Sequence, residues 1–204
     1  MNDIYTLSIL ISIATFILTT HITPGPTNII LLSSVLNFGY KKSLPFMLAN
    51  IISYPVLMGF TALGIGMFLI EHPTLMSLLK TVGVIYLTYM AYKIATSTHS
   101  YNTSETQTNK PFTFWQGLIY PWLNPKAWIV YTSTISIYVS SSHNSLSQIG
   151  VIVFCIFIAM IITTYAWSFG GVLLKKLIKE ESFIKRLNIA MASLLIASII
   201  PILF

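Results

Sequence analysis

The sequence predicts an all-α membrane protein with six transmembrane helices, arranged as two inverted halves of three helices each. First, 55% of the 204 residues are hydrophobic, only 8% are charged and the mean hydropathy is +0.79, which excludes an ordinary soluble domain. Second, the hydrophobic residues form six runs of roughly the 20 residues that a helix needs to cross a bilayer core. Third, proline-containing breaks occur in the first run of each half. Residues 1–204 are therefore expected to form a single membrane domain.

The six runs leave little chain for any other structure. They are residues 4–36, 44–70, 74–94, 112–138, 148–173 and 184–203. The first run has no basic segment before it and no cleavage site of small residues, so we expect a retained helix and not a signal peptide. Pro45 and Pro55 are expected to interrupt the second run.

A polar segment at 97–111 separates pseudo-repeats at about 1–96 and 112–204 and predicts a flexible cytoplasmic linker. Since each half has an odd number of runs, the second half enters the bilayer from the opposite side, as in inverted repeats. Pro26 and Pro125 occupy equivalent runs, each close to an asparagine, which supports this relation.

Apart from Lys80 and Lys126, which lie inside runs, the basic residues are found at or beside alternate loops. Lys or Arg occurs at 41, 42, 93, 110, 175, 176, 179, 185 and 186, whereas the loops at 71–73 and 140–144 have neither. The positive-inside rule then predicts cytoplasmic basic loops and both termini outside. The net charge of +6 thus needs no nucleic-acid partner.

The first break is Pro24-Gly25-Pro26, inside a run that would be on the order of 50 Å long as a straight helix. A bend here would let Pro26 start a new half-helix. In the second break Asn124 is suited to cap a half-helix that starts at Pro125. Two half-helix starts that face one cavity would attract a carboxylate. The alternative is a pair of simple proline kinks, which are common in membrane helices.

Lys126 lies about fourteen residues into its run, and a lysine at that depth costs roughly 2.5 kcal/mol or more if it faces lipid. One interpretation is a counter-charge for a substrate carboxylate or a group that titrates during transport. The other is a lysine that snorkels to the cytoplasmic rim. The candidate substrate-binding residues are Pro24, Gly25, Pro26, Asn28, Tyr54, Asn124, Pro125 and Lys126.

His21, just before the first break, is a candidate for coupling transport to protons, as is Lys126. The alternative for His21 is a structural hydrogen bond to a carbonyl that the break frees. Tyr54 lies between small residues, where its hydroxyl needs a partner.

Several motifs in order along the chain resemble the LysE/RhtB amino-acid exporter family. They are Pro24-Gly25-Pro26 with Asn28, a basic pair before run two, Leu79-Lys80-x-x-Gly83-x-x-Tyr86-Leu87, and Phe114-x-x-Gly117 followed by Leu123-Asn124-Pro125-Lys126. The resemblance implies a six-helix, multi-pass exporter of amino acids or their derivatives from the bacterial cytoplasm. It also implies a cytoplasmic (inner) membrane location, a homodimer and transport driven by an ion gradient.

The chain departs from the family pattern in run two, where Ser53 and Tyr54 replace a glycine and an acidic residue, and in run six, which has Ala192 and Ser193 where glycine is frequent. The acidic residues, five in all, fall outside the predicted spans. A cationic substrate then has no evident partner, so we expect a neutral amino acid. Proton coupling would have to use His21, Lys126 or a tyrosine.

Other classes are less well supported by the sequence. An exporter of an inorganic or metal ion on a related scaffold would need clustered ligands in the membrane, but the four histidines are scattered. A membrane enzyme of the lipid-transferase type would need paired acids to hold a metal. Cys155 is the single cysteine, which excludes a thiol-disulfide carrier. We therefore predict a transporter with no cofactor and no metal site.

Overall fold

The computed structural model describes residues 5–97, 110–140, 145–178 and 180–200, and within these ranges the chain is helical with no β-strand. The helices are α1 (Leu7–Ile22), α2 (Pro26–Phe38), α3 (Tyr40–Phe60), α4 (Gly66–Glu71), α5 (Pro73–Ala95), α6 (Phe114–Ile119), α7 (Pro125–Tyr138), α8 (Ser145–Leu177) and α9 (Glu181–Ala197). A π-helical turn, Thr61–Ile65, joins α3 to α4, and a 3-10 turn, Tyr120–Leu123, follows α6. The all-α class is confirmed.

In the described ranges, three continuous stretches are long and apolar enough to cross a membrane: Tyr40–Glu71, Pro73–Ala95 and Ser145–Leu177. A fourth consists of α1 and α2 together, bent by 55° between them. The predicted run 112–138 corresponds to two separate helices, α6 and α7, and the predicted run 184–203 corresponds to α9, which has 17 residues. Within the described residues, neither run contains a continuous helix long enough to cross a membrane. The arrangement of six spans in two inverted halves stays a prediction.

Large apolar side chains cover the outside of the helices. On α5 and α8, for example, Ile85 and Phe169 are 64% and 69% exposed. So much exposed apolar surface is unfavourable in water but matches a lipid environment. The outer surface therefore agrees with the membrane class that the composition predicts.

Helix α8 packs against α1, α2 and α3, while α3 also packs against α6. Glycines allow two of these contacts to be close. A Cβ at Gly171 would lie 2.9 Å from the Cβ of Val35 on α2, and a Cβ at Gly117 would lie 2.8 Å from the carbonyl oxygen of Phe46 on α3. The pairs α1–α8 and α6–α3 each join the first run of one predicted half to the second run of the other half. The two contacts would be equivalent if the halves were inverted repeats.

Hydrogen bonds join neighbouring helices at each end of the bundle. At one end the Tyr5 hydroxyl donates to the carbonyl oxygen of Tyr138 (2.7 Å). Towards the other end, the buried amides of Asn37 and Asn188 donate to each other (2.8 Å each), and Asn188 also donates to the Ser97 carbonyl (2.9 Å). The start of α1 thus lies beside the end of α7, and the ends of α2 and α5 lie beside α9.

The expectation that Pro45 and Pro55 interrupt the second run is wrong, because α3 continues through both prolines. Neighbouring helices α6 and α8 pack along α3, and membrane helices tolerate a lost backbone hydrogen bond when neighbours support them. The distortion comes later, where Gly64 has a φ of +98°, a left-handed conformation that glycine adopts without strain.

Candidate functional site

The first helix break lies between Ile22, the last residue of α1, and Pro26, the first residue of α2. Thr23 and Gly25 are extended here, with ψ of 148° and φ of −166°. As predicted, Pro26 occupies the first helical position, where its missing N–H costs nothing. The 55° angle between α1 and α2 is much larger than a gentle helix curvature.

Side chains satisfy the carbonyl groups that this break frees. The amide nitrogen of Asn28 donates to the carbonyl oxygens of His21 (2.7 Å) and Thr23 (2.9 Å). The indole N–H of Trp167, on α8, donates to the carbonyl oxygen of Ile22 (3.0 Å). Asn28 is a predicted substrate ligand, but its N–H₂ group already forms two hydrogen bonds that stabilise the break.

The start of α2 keeps free hydrogen-bond donors. Gly25 is the N-cap residue and has no side chain to accept a hydrogen bond. The backbone N–H groups of Thr27 and Asn28 consequently have no partner among the described residues. Free N–H groups at a helix start, together with the helix dipole, favour an anion.

The second break has a different arrangement, because Asn124 satisfies the start of α7 by itself. Its side-chain oxygen accepts the N–H of Lys126 (3.1 Å), as predicted for an N-cap, and its carbonyl oxygen accepts the N–H of Ala127 (3.0 Å). Its amide nitrogen donates to the Tyr120 hydroxyl (3.2 Å). Of the two predicted half-helix starts, the one at Pro26 thus has the free donors.

Helix α5 lies directly against the second break. A Cβ at Gly83 would collide with the carbonyl oxygen of Leu123, so only glycine allows this approach. The indole N–H of Trp128 donates to the carbonyl oxygen of Trp122 (2.8 Å) across the break. The break is therefore held by α5 and by the first turn of α7.

The two breaks meet at one cavity of about 60 Å³, which we call the first cavity. Such a volume has room for several ordered waters. It is lined by Thr20, His21, Thr23, Gly25, Pro26, Thr27, Asn28, Tyr54, Asn124, Lys126, Ala127, Val130, Tyr131 and Met160. Seven predicted site residues are among them.

Pro24 and Pro125, the remaining predicted residues, line an adjoining cavity of about 370 Å³, which we call the second cavity. Its lining is Pro24, Gly25, Pro26, Lys80, Asn124, Pro125, Lys126, Ile129, Val130 and Ser198. The two cavities share five lining residues, Lys126 among them. The structure thus places all nine predicted residues around two neighbouring spaces.

A histidine and two tyrosines form the polar wall of the first cavity. His21 Nδ1 lies 2.8 Å from the carbonyl oxygen of Ile17, and His21 Nε2 lies 3.1 Å from the Tyr131 hydroxyl. Since a carbonyl can only accept, Nδ1 carries a proton, and in the neutral ring Nε2 accepts from Tyr131. The Tyr54 hydroxyl lies 2.5 Å from the Thr27 hydroxyl. The imidazole centroid lies 5.7 Å from the ring centroid of Tyr54 and 6.0 Å from that of Tyr131.

Sequence reasoning missed Tyr131, Thr27 and Met160 as lining residues. Thr27 lies inside the first break motif, so its neighbours Pro26 and Asn28 could have identified it. Tyr131 and Met160 lie within apolar runs, where no spacing distinguishes them from lipid-facing or core residues. Both are almost fully buried, at 2% exposure.

Lys126 is exposed and lines both cavities, and its ammonium group has no hydrogen bond or ion pair with the part of the chain that the structure describes. None of the acidic residues that the structure describes lines either cavity. The described residues also contain no group of three or more His, Cys, Asp or Glu side chains that could hold a metal ion. Lys126 therefore provides an uncompensated positive charge at the junction of the cavities.

A model of the LysE type translocator family matches residues 18–198. The chain is 30% identical over 193 residues to the cysteine/O-acetylserine efflux protein of Escherichia coli O1:K1 / APEC, 31% over 194 residues to that of Escherichia coli O157:H7, and 29% over 193 residues to that of Escherichia coli strain K12. Each comparison covers 93% of this chain and 95% of the relative. No solved structure matches the chain.

Proposed function

Because this chain belongs to the LysE type translocator family, we propose that it exports an amino acid or amino-acid derivative across the cytoplasmic membrane, through the cavity at which its two helix breaks meet. The observation that carries this proposal is the first cavity itself, where the free start of α2 and the unpaired Lys126 lie together. Broken membrane helices that face one interior space are typical of substrate sites in secondary transporters.

The substrate carboxylate is bound at the start of α2. The unpartnered N–H groups of Thr27 and Asn28 donate to it, and Lys126 supplies the counter-charge. Asn124 and Asn28 hold the two breaks in place, and Pro26 and Pro125 position the helix starts. Gly25, without a side chain, leaves room beside the free N–H groups.

The substrate is a small neutral amino acid. A cationic side chain would need a carboxylate, and among the residues with a described position no acidic one lines the first cavity. The ammonium group of a zwitterion can instead contact the hydroxyl oxygens and ring faces of Tyr54 and Tyr131. Cysteine and O-acetylserine, which the names of the relatives specify, are both neutral overall at pH 7 and are the first substrates to test.

Protons drive export through His21. Its imidazole faces the first cavity beside Tyr131 and Lys126 of α7 and Tyr54 of α3. Protonation of Nε2 would require the Tyr131 hydroxyl to change from donor to acceptor, which alters the polarity of the cavity wall. His21 thereby links the protonation state to the shape of the substrate site.

Export proceeds by alternating access, in which the two halves rock around the first cavity. Both termini lie outside in this arrangement, since the basic loops are cytoplasmic. The homodimer that the family resemblance implies is part of the same proposal.

Reconstituted liposomes test this function. Purified protein would be incorporated into liposomes preloaded with labelled cysteine, O-acetylserine, another neutral amino acid or lysine, and release would be followed with and without an imposed pH gradient. We expect release of at least one neutral compound, accelerated by the gradient, and none of lysine. Release of lysine alone would contradict the neutral-substrate proposal, and release of no amino acid or derivative would contradict export altogether.

A further inference from the structure

Lys80 is a second lysine inside a predicted span, and the function proposed above does not use it. It lies three residues before Gly83 and seven before Leu87, both buried, so it occupies the interior-facing side of α5. It lies seven positions after Pro73, the first residue of α5, which is about 10 Å along the helix axis. Its position therefore points the side chain inward and not toward lipid.

The side chain of Lys80 is half-buried and lines the second cavity with Lys126. Within the described residues, neither ammonium group forms an ion pair or hydrogen bond. The side-chain polar groups that complete the lining, of Asn124 and Ser198, carry no charge. Two uncompensated cations at one cavity inside a membrane protein are costly unless an anion occupies the space.

We propose that the second cavity is a second binding site for the substrate carboxylate, held between Lys80 and Lys126. The site rests on the proposed export function and lies on the same path. Lys126 reaches both cavities, so it can keep its contact while the carboxylate leaves the start of α2 and moves to Lys80. The second site lies towards the ends of the bundle at which α5 begins and α9 finishes, as Lys80 and Ser198 show.

The walls of the second cavity favour the transported carboxylate over a lipid headgroup. Gly25, Pro26 and Asn124 line both cavities, so the two spaces adjoin at the helix breaks, and the proposal takes the carboxylate from one to the other at this point. A headgroup that stayed in the second cavity would block this passage. An anionic lipid is therefore the alternative that the experiment has to separate.

Charge-selective labelling at Ser198 tests the site without a transport assay. In a Cys155→Ser background, Ser198→Cys would place one thiol at the second cavity. Its reaction rates with an anionic and a cationic methanethiosulfonate reagent would be measured in nanodiscs of phosphatidylcholine alone. We expect the anionic reagent to be preferred, with a preference that falls roughly tenfold in Lys80→Gln and is restored in Lys80→Arg.

Lys176→Gln is the matched control, since Lys176 is exposed in the last turn of α8 and lines neither cavity. It should leave the preference within about twofold of the Ser198→Cys protein. An equal loss in Lys176→Gln and Lys80→Gln, or no loss in Lys80→Gln, would overturn the proposal. If Lys80→Gln does not fold, the Lys80→Arg variant tests the proposal. Loss of the preference for the anionic reagent in Lys80→Arg would overturn it, because arginine keeps the positive charge.

Protection experiments identify the anion. O-acetylserine at millimolar concentration should slow labelling of Ser198→Cys, and this protection should weaken in Lys80→Gln. Protection by added phosphatidylglycerol but not by O-acetylserine would assign the site to lipid and overturn its place on the substrate path. The protein could also show the expected labelling preference and protection by O-acetylserine at Ser198→Cys but release no amino acid from liposomes. That result would support this binding site and contradict the proposed export function.

Discussion

The hydroxyl group of Tyr131 lies 3.1 Å from Nε2 of His21, while Nδ1 of the same ring lies 2.8 Å from the carbonyl oxygen of Ile17. Both ring nitrogens are thus fixed by protein partners, one of which can only accept. A second proton on the imidazole can be accommodated only if the Tyr131 hydroxyl reverses its hydrogen bond. The pair joins α1, just before its break, to α7, just after the other break.

Replacement of His21 by glutamine should separate transport from its driving force. Glutamine can donate and accept hydrogen bonds at this position but does not titrate. In liposomes, we expect a pH gradient to accelerate substrate release by His21→Gln much less than release by the wild type, while substrate exchange without a gradient continues. Equal acceleration in His21→Gln and wild type would show that the proton uses another group.

Replacement of Asn28 by aspartate should destabilise the first break. The carboxylate cannot donate to the carbonyl oxygens of His21 and Thr23, and each lost hydrogen bond in a buried setting costs about 1–3 kcal/mol. The melting temperature of the purified protein should fall by several degrees. Thr81→Val, which removes an exposed hydroxyl on α5, is the control and should change little. An unchanged melting temperature in Asn28→Asp would contradict the role given to this amide.

The helix breaks themselves could be predicted from the sequence because proline acts locally. Pro26 and Pro125 start helices for the same local reason, namely that the first helical position needs no N–H donor. Asn124 was equally predictable as a cap. Pro45 and Pro55 have the same chemistry, but α3 passes through them because α6 and α8 pack along it, and that support depends on tertiary structure.

Replacement of Gly83 by alanine should disrupt the contact between α5 and the second break. The new methyl group would collide with the carbonyl oxygen of Leu123, which belongs to the backbone and cannot rotate away. A Cβ at Gly59 on α3, by contrast, meets no atom within 4 Å, so Gly59→Ala should stabilise its helix by about 0.5–1 kcal/mol. We expect opposite shifts in melting temperature for the two variants. Similar shifts would contradict the close approach at Gly83.

Removal of the Tyr54 hydroxyl tests how the first cavity contacts the substrate. Tyr54→Phe breaks the hydrogen bond to Thr27 and removes an oxygen that can accept from the substrate ammonium. We expect the KM for release from liposomes to rise severalfold. Tyr89→Phe, half exposed on the outside of α5, should behave as wild type. A KM that is unchanged in Tyr54→Phe would exclude this hydroxyl from substrate binding.

The difference between the two helix starts could not be predicted from the motifs. Both are proline starts next to an asparagine, yet Asn124 precedes its proline and caps α7, whereas Asn28 follows Pro26 and turns back to the carbonyl oxygens of the break. Which N–H groups remain free depends on these side-chain directions. Likewise, the contribution of Tyr131 and Met160 to the first cavity depends on which face of α7 and α8 meets α1, and periodicity in a uniformly apolar run does not specify that.

Equilibrium binding to Lys126 variants tests most directly whether the substrate carboxylate binds where the breaks meet. The dissociation constant of the labelled amino acid that the wild type exports would be measured for wild type, Lys126→Gln, Lys126→Arg and Lys176→Gln in nanodiscs. We predict that Lys126→Gln weakens binding roughly tenfold or more, as expected for the loss of a charge-assisted contact, that Lys126→Arg retains part of the affinity, and that Lys176→Gln binds as wild type. A folded Lys126→Gln protein with the wild-type dissociation constant would contradict the account.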